Sequence, residues 1–112
     1  MGIALAQLLD QMFGVKSRHQ INSLVSQVGV TAIPIMNANP NRLSFIIFNL
    51  SVNSVYISPD PDVSSVKGMY IAGNGGFFMS QWDVDFQLPS MQFFGIATGA
   101  ASNVFILENI SY

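Results

Sequence analysis

Among residue types that do chemistry, this chain offers one histidine, His19, and two closely spaced acidic pairs, Asp60/Asp62 and Asp83/Asp85. Two such pairs, if a fold converged them, would suit a hard cation such as Ca²⁺, which takes about six to eight oxygen ligands. Alternatively, two carboxylates in contrasting environments could divide general acid and base roles. Neither pair follows the spaced oxygen pattern of an EF-hand loop. Asp60 and Asp62 alternate with Pro59 and Pro61, which is ordinary turn chemistry. Asp83 and Asp85 read as the solvent face of an alternating strand, with nothing adjacent to raise a carboxyl pKa. His19, between Arg18 and Gln20, reads as a solvated surface residue. No serine sits in a Gly-x-Ser-x-Gly elbow, and one histidine without thiolates makes a poor zinc site. The run Gly73-Asn74-Gly75-Gly76 lacks the Lys and Ser/Thr of a phosphate-binding loop and reads as a turn. The sequence therefore assigns no catalytic, cofactor-binding or metal-binding residue, and the chain is expected not to be an enzyme.

The composition is more informative. Charged residues make up 9% of the chain and hydrophobic ones 50%, whereas roughly a quarter of an ordinary soluble domain is charged. Residues 43–59 and 87–107 carry no charge at all. A chain of 112 residues has little interior in which to hide that much apolar surface, so the surplus predicts a subunit covered by other protein. A formal charge of -2 with only four basic residues leaves no phosphate-tracking stripe, so nucleic acid is not an expected partner. With no cysteine, disulfides and thiolate metal sites are excluded. The apolar start of the chain precedes Lys16 and Arg18 instead of following basic residues. It also falls short of the roughly 20 residues that span a bilayer. Neither a secretory signal nor a membrane anchor is expected there.

Two parts must position these residues. Residues 1–41 read as a short helix followed by an extended arm. Over residues 3–13, Leu5, Leu8, Leu9 and Met12 recur on one helical face, and Gly14 supplies a stop just past Phe13. About three turns is marginal for a helix alone in water, so it must dock on something. Pro34 marks an edge strand or an arm, and residues 37–41 form a turn. Residues 42–112 read as β. Strand 42–50 is apolar on both faces, strand 54–58 follows, and strands 67–72 and 76–80 are joined by Gly73-Asn74-Gly75. Residues 82–88 alternate as a further strand, and 93–98 with 104–110 close the chain as a hairpin. About seven short strands with frequent turns predict an all-β domain, an antiparallel, jelly-roll-like sandwich.

The doublets Phe77-Phe78 and Phe93-Phe94 point to where the surplus goes, because neighbouring strand residues face opposite sides. One member of each must leave the core face. The expected contact residues are Leu5, Leu8, Leu9, Met12 and Phe13 on the helix, with Phe78 and Phe94 from the doublets.

From Asn41 to Tyr112 the layout resembles small β-sandwich structural proteins of tailed bacteriophages. It rests on Asn41-Arg42-Leu43-Ser44-Phe45-Ile46-Ile47-Phe48-Asn49, then Val55-Tyr56-Ile57-Ser58, then Gly68-Met69-Tyr70-Ile71 and a glycine turn, and finally Val104-Phe105-Ile106-Leu107-Glu108. The resemblance is one of strand layout and carries over no binding residue. It implies a virion structural protein, a capsid decoration or cement protein that forms homo-oligomers, trimers in the first instance, and binds the major capsid protein or other virion proteins. The alternative it leaves is a tail, neck or fibre component. Such a component would recognise a host-surface glycan through Trp82 with Asp83 or Tyr56 with Asp60.

Overall fold

The computed structural model describes residues 17–22 and 24–111; the helix expected over residues 3–13 lies outside them. Among the described residues the chain forms β1 (Ser17–Ile21), β2 (Gln27–Val28), β3 (Ile33–Met36), β4 (Arg42–Asn49), β5 (Val55–Ser58), β6 (Met69–Ile71), β7 (Phe77–Gln81), β8 (Phe93–Ala97) and β9 (Ser102–Ser111). One helical turn, α1 (Trp82–Asp85), and a 3₁₀ turn (Leu88–Ser90) separate β7 from β8. No helix among the described residues is long and apolar enough to cross a membrane. The protein is all-β, as its alternation predicts.

All strand pairs are antiparallel and fall into two sheets. In the first, β9 lies between β4 on one side and β1 and β2 on the other, with β7 beyond β4. The second runs β3-β8-β5-β6. The arm segment thus supplies strands to both sheets, and Pro34, which cannot donate to a ladder, sits on the edge strand β3. Residues from both sheets share one core, in which Phe45 of β4 meets Phe93 of β8 edge-on at 5.0 Å between ring centres. Ile47, Ile57, Ile71 and Ile106 are fully or almost fully buried around them.

Two bulges adjust which side chains point inward. On β4, Arg42 pairs with Ile110 but Ser44 with Asn109, so Leu43 is an extra residue. That insertion turns Arg42 inward on the same side as Phe45, three positions on. On β3 the register slips between Pro34 and Met36, which lets Ile35 and Met36 both bury.

Two expected pairings and one expected strand fail. The Gly73-Asn74-Gly75 turn does not close a hairpin: β6 pairs with β5 and β7 with β4, so the turn passes between sheets. Its donors go elsewhere, Asn74 N–H to Ser51 O and Gly75 N–H to Asn49 O. Buried Asn49 completes the corner by donating from Nδ2 to Asn53 O and Ile71 O. Likewise β8 and β9 are consecutive but unpaired; β8 joins β3 and β5, and β9 joins β1, β2 and β4. Their connection is held by Asn53 Nδ2 donating to Ser102 Oγ, which donates to Gly99 O. Finally, residues 82–88 are not a strand. The Asp85 carboxylate accepts from Ser80 Oγ and from Gln81 N–H, drawing the chain back into a helical turn closed by Phe86 N–H to Trp82 O.

A methyl group at Gly76 would stand 2.3 Å from the Ala72 carbonyl oxygen and 2.8 Å from its nitrogen, both backbone atoms that no rotamer change can move. Gly76→Ala should therefore cost about 2 kcal/mol in urea unfolding. Gly29→Ala, with no atom within 4 Å of the added carbon, should stay within about 0.5 kcal/mol of the parent.

Candidate functional site

The candidates for chemistry are all engaged in local work or set apart. Asp60 Oδ1 accepts the Asp62 N–H at 2.9 Å, an Asx turn. Asp85 caps the corner just described, and Asp83 beside it is exposed. His19 lies on β1, exposed, with Asn109 as its register partner. No group of three or more His, Cys, Asp or Glu with metal-holding geometry occurs among the described residues.

One polar cluster was not singled out from the sequence. Arg42 and Glu108, each only 2% exposed in the side chain, form an ion pair inside the fold. The guanidinium also donates to the backbone oxygens of Pro89, Met91 and Asn37. Glu108 accepts from Gln20 Nε2 and Asn22 Nδ2, both at 2.9 Å. Burial alone would raise the Glu108 pKa; hydrogen bonds from Gln20 and Asn22, and the charge and hydrogen bond of Arg42, outweigh it and hold the carboxyl below its ordinary value. The signal was legible in principle, since Arg42 and Glu108 are lone charges within two strongly apolar strands. Their role is to fasten β1 and the 37–41 and 88–91 loops to the central strands.

The surface is where the chain departs from an ordinary domain. On the outer face of the first sheet, register aligns Ile21, Leu107, Ile46 and Met79 in one row across four strands. The next row is aromatic: Phe105, Phe48 and Phe77, with Phe48 5.9 Å from Phe77 and 6.4 Å from Phe105. On the other side of the apolar row lies a polar one, His19, Asn109, Ser44 and Gln81. Ile21 is 62% exposed, Phe77 57% and Met79 47%. A groove of about 470 Å³ runs along the polar and apolar rows and ends at Trp82 and Asp83. The outer face of the second sheet carries Tyr70, Tyr56 and Ile96 in one row and Ser58, Phe94 and Pro34 in another. No charged side chain stands in any of these rows.

The doublets split as strand geometry demands: Phe94 is the expected outward member of its pair, but in the other pair it is Phe77 and not Phe78. Phe77 is the exposed member of its pair, while Phe78 is half-buried, packs on the core and has its ring 6.0 Å from Phe45. Phe93 is fully buried, and Phe94 is the outward residue, half-buried on the second sheet. Leu5, Leu8, Leu9, Met12 and Phe13 lie outside the described residues. Trp82 and Asp83 border the groove, whereas the Tyr56 ring packs tilted against Tyr70, 5.6 Å between ring centres. Comparison with protein-family models, with curated proteins and with solved structures finds no match.

The ion pair makes two measurable demands. Glu108→Gln leaves Arg42 buried without its counter-charge and should cost about 3–5 kcal/mol at neutral pH. Because the folded state holds the Glu108 pKa down, its contribution is present above the unfolded value of about 4.3 and is lost as pH falls through the folded value. Urea unfolding at stepped pH should show the parent weakening below about pH 4, with a shallower acid slope in Glu108→Gln.

Proposed function

We propose that this protein is a non-enzymatic virion structural subunit, a capsid decoration or cement protein that self-associates and binds the capsid lattice through apolar surfaces. The observation that carries the proposal is the uncharged, largely apolar outer face of each sheet. A solvated antiparallel sheet normally alternates apolar-in with polar-out. Here Phe48, Phe77, Met79, Tyr70 and Phe94 occupy outward positions. An interface of standard size, about 800 Å² per partner, would convert that surface into binding free energy before association costs are subtracted.

The strand order supports a finer view of the fold. The orders β1/β2-β9-β4-β7 and β3-β8-β5-β6, with only the β1–β2 and β5–β6 links staying within one sheet, fit a double-sheet jelly roll. That architecture recurs in viral capsid and lectin domains. A non-enzymatic role is supported by the occupations of the carboxylates: Asp60 and Asp85 accept local hydrogen bonds and Glu108 neutralises Arg42.

Sedimentation velocity on the purified chain should show a homo-oligomer, with a trimer the expected species. Phe94→Asp should weaken it by about thirtyfold or more, the effect of losing one central anchor. Cosedimentation with heads purified without the protein should show binding. A monomer at tens of micromolar that also ignores such heads would reject the proposal.

A further inference from the structure

We propose that the groove on the outer face of the first sheet binds a short neutral oligosaccharide laid across the strands. The inference goes beyond the virion reading and does not rest on it.

The groove joins two unlike rows. His19, Asn109, Ser44 and Gln81 stand side by side, one each from β1, β9, β4 and β7. Each of these side chains can both donate and accept a hydrogen bond. None of the four makes a side-chain hydrogen bond to another described residue. Two positions along the strands, about 7 Å away, Leu107, Ile46 and Met79 supply a parallel apolar strip. Leu43, the extra residue of the β4 bulge, and Trp82 and Asp83 of α1 also line the space, which holds about 470 Å³. Sites for small molecules occupy about 300–1,000 Å³.

The two rows select the chemistry of the occupant. A pyranose ring carries hydroxyls around its rim and C–H bonds on its faces. Seated on Leu107, Ile46 and Met79, it would bring rim hydroxyls to Asn109, Ser44 and Gln81. The repeat agrees as well. Adjacent strands lie about 4.8 Å apart, and one pyranose unit lengthens a glycan by about 5 Å. The polar row spans about 14 Å, the length of a trisaccharide. Other ligands answer it less well. An acyl chain would bury the polar row without partners. An extended peptide repeats its side chains on one face every 7 Å or so, about one and a half strand spacings. An anionic glycan or a nucleic acid would meet the exposed Asp83 and no lysine or arginine in the lining. Glu108, the other carboxylate there, is committed to Arg42. Such a ligand leaves the phenylalanine row and the whole second sheet to neighbouring subunits.

The full-length chain, screened on an array of neutral and acidic glycans, should retain a neutral oligosaccharide of trisaccharide length or longer. In isotope-labelled protein that glycan should shift the amides of Ser44, Ile46, Gln81, Leu107 and Asn109. Tyr56 and Tyr70 on the second sheet should not move. The corresponding monosaccharide should bind about tenfold more weakly or worse, having lost the hydrogen bonds of the other strands. Ser44→Ala and Gln81→Ala should each weaken binding about three- to tenfold, and Trp82→Ala about tenfold, with the far-ultraviolet spectrum unchanged. Phe94→Asp, which tests self-association, should leave sugar binding intact, so the two readings fail separately. Retention of no neutral glycan, or of acidic glycans only, would overturn the proposal. So would an affinity indifferent to both Ser44→Ala and Gln81→Ala. The same amides shifting with protein concentration alone would assign the face to a second copy, and would overturn it too.

Discussion

A buried charge in a small β protein dictates the arrangement around it, and the Arg42–Glu108 pair does so here. Taking either ion out of water alone costs several kcal/mol, so only a fold that supplies every partner can keep both. Arg42 reaches Glu108 and three backbone oxygens, and Glu108 accepts from Arg42, Gln20 and Asn22. Meeting those demands fixes several choices together. β4 must bulge at Leu43 so that Arg42 turns inward, and β1 must lie against β9 so that Gln20 stands opposite Glu108. The loops before β4 and after α1 must bring their carbonyls to the guanidinium. Position on an edge strand is normally weakly specified; here polar satisfaction specifies it.

A second polar anchor works at the opposite end of the strands. Asn49 sits fully buried at the end of β4, donating to Asn53 O and Ile71 O while its Oδ1 accepts from Ser51. Asn53 passes the connection on to Ser102 and so to Gly99. One chain of side-chain hydrogen bonds therefore ties together the connections β4–β5, β6–β7 and β8–β9. Each connects strands of different sheets. The turns send their donors to a neighbouring corner, and a hairpin ladder has no claim on them.

That is why strand positions were legible in the sequence and strand partners were not. Periodicity located β4, β5, β6, β7, β8 and β9 closely, because alternation reports burial residue by residue. Pairing depends on where polar groups find partners across long sequence separations, such as Asn53 with Ser102 or Gln20 with Glu108. A glycine turn between two strands looks alike whether it closes a hairpin or crosses between sheets. The segment 82–88 misled for a local reason: its alternation is genuine, but Asp85 has a stronger claim on the Gln81 N–H than a strand partner would. The phenylalanine doublets show the same division. Strand geometry guarantees that one ring of each leaves the core, yet which one depends on register, and register put Phe77 outside and Phe78 against Phe45.

The distribution of edges and faces then limits how this protein can meet others. Exposed strand edges invite open-ended pairing, and each edge here is blunted. β3 carries Pro34 and a bulge, β6 has three residues, β7 runs directly into α1, and the edge beside β9 is broken between β1 and β2. The faces are treated in the opposite way, with apolar rows centred on β4 and β9 in one sheet and on β5 and β8 in the other. On the function proposed, a molecule that suppresses growth along its hydrogen-bonding direction while presenting uncharged faces would make its contacts between flat surfaces. Such contacts are set by side-chain packing, which has one best geometry, and not by backbone ladders, which accept any strand. On the function proposed, association of this chain would run through its side-chain faces, because its backbone edges have been left with little to offer a stranger.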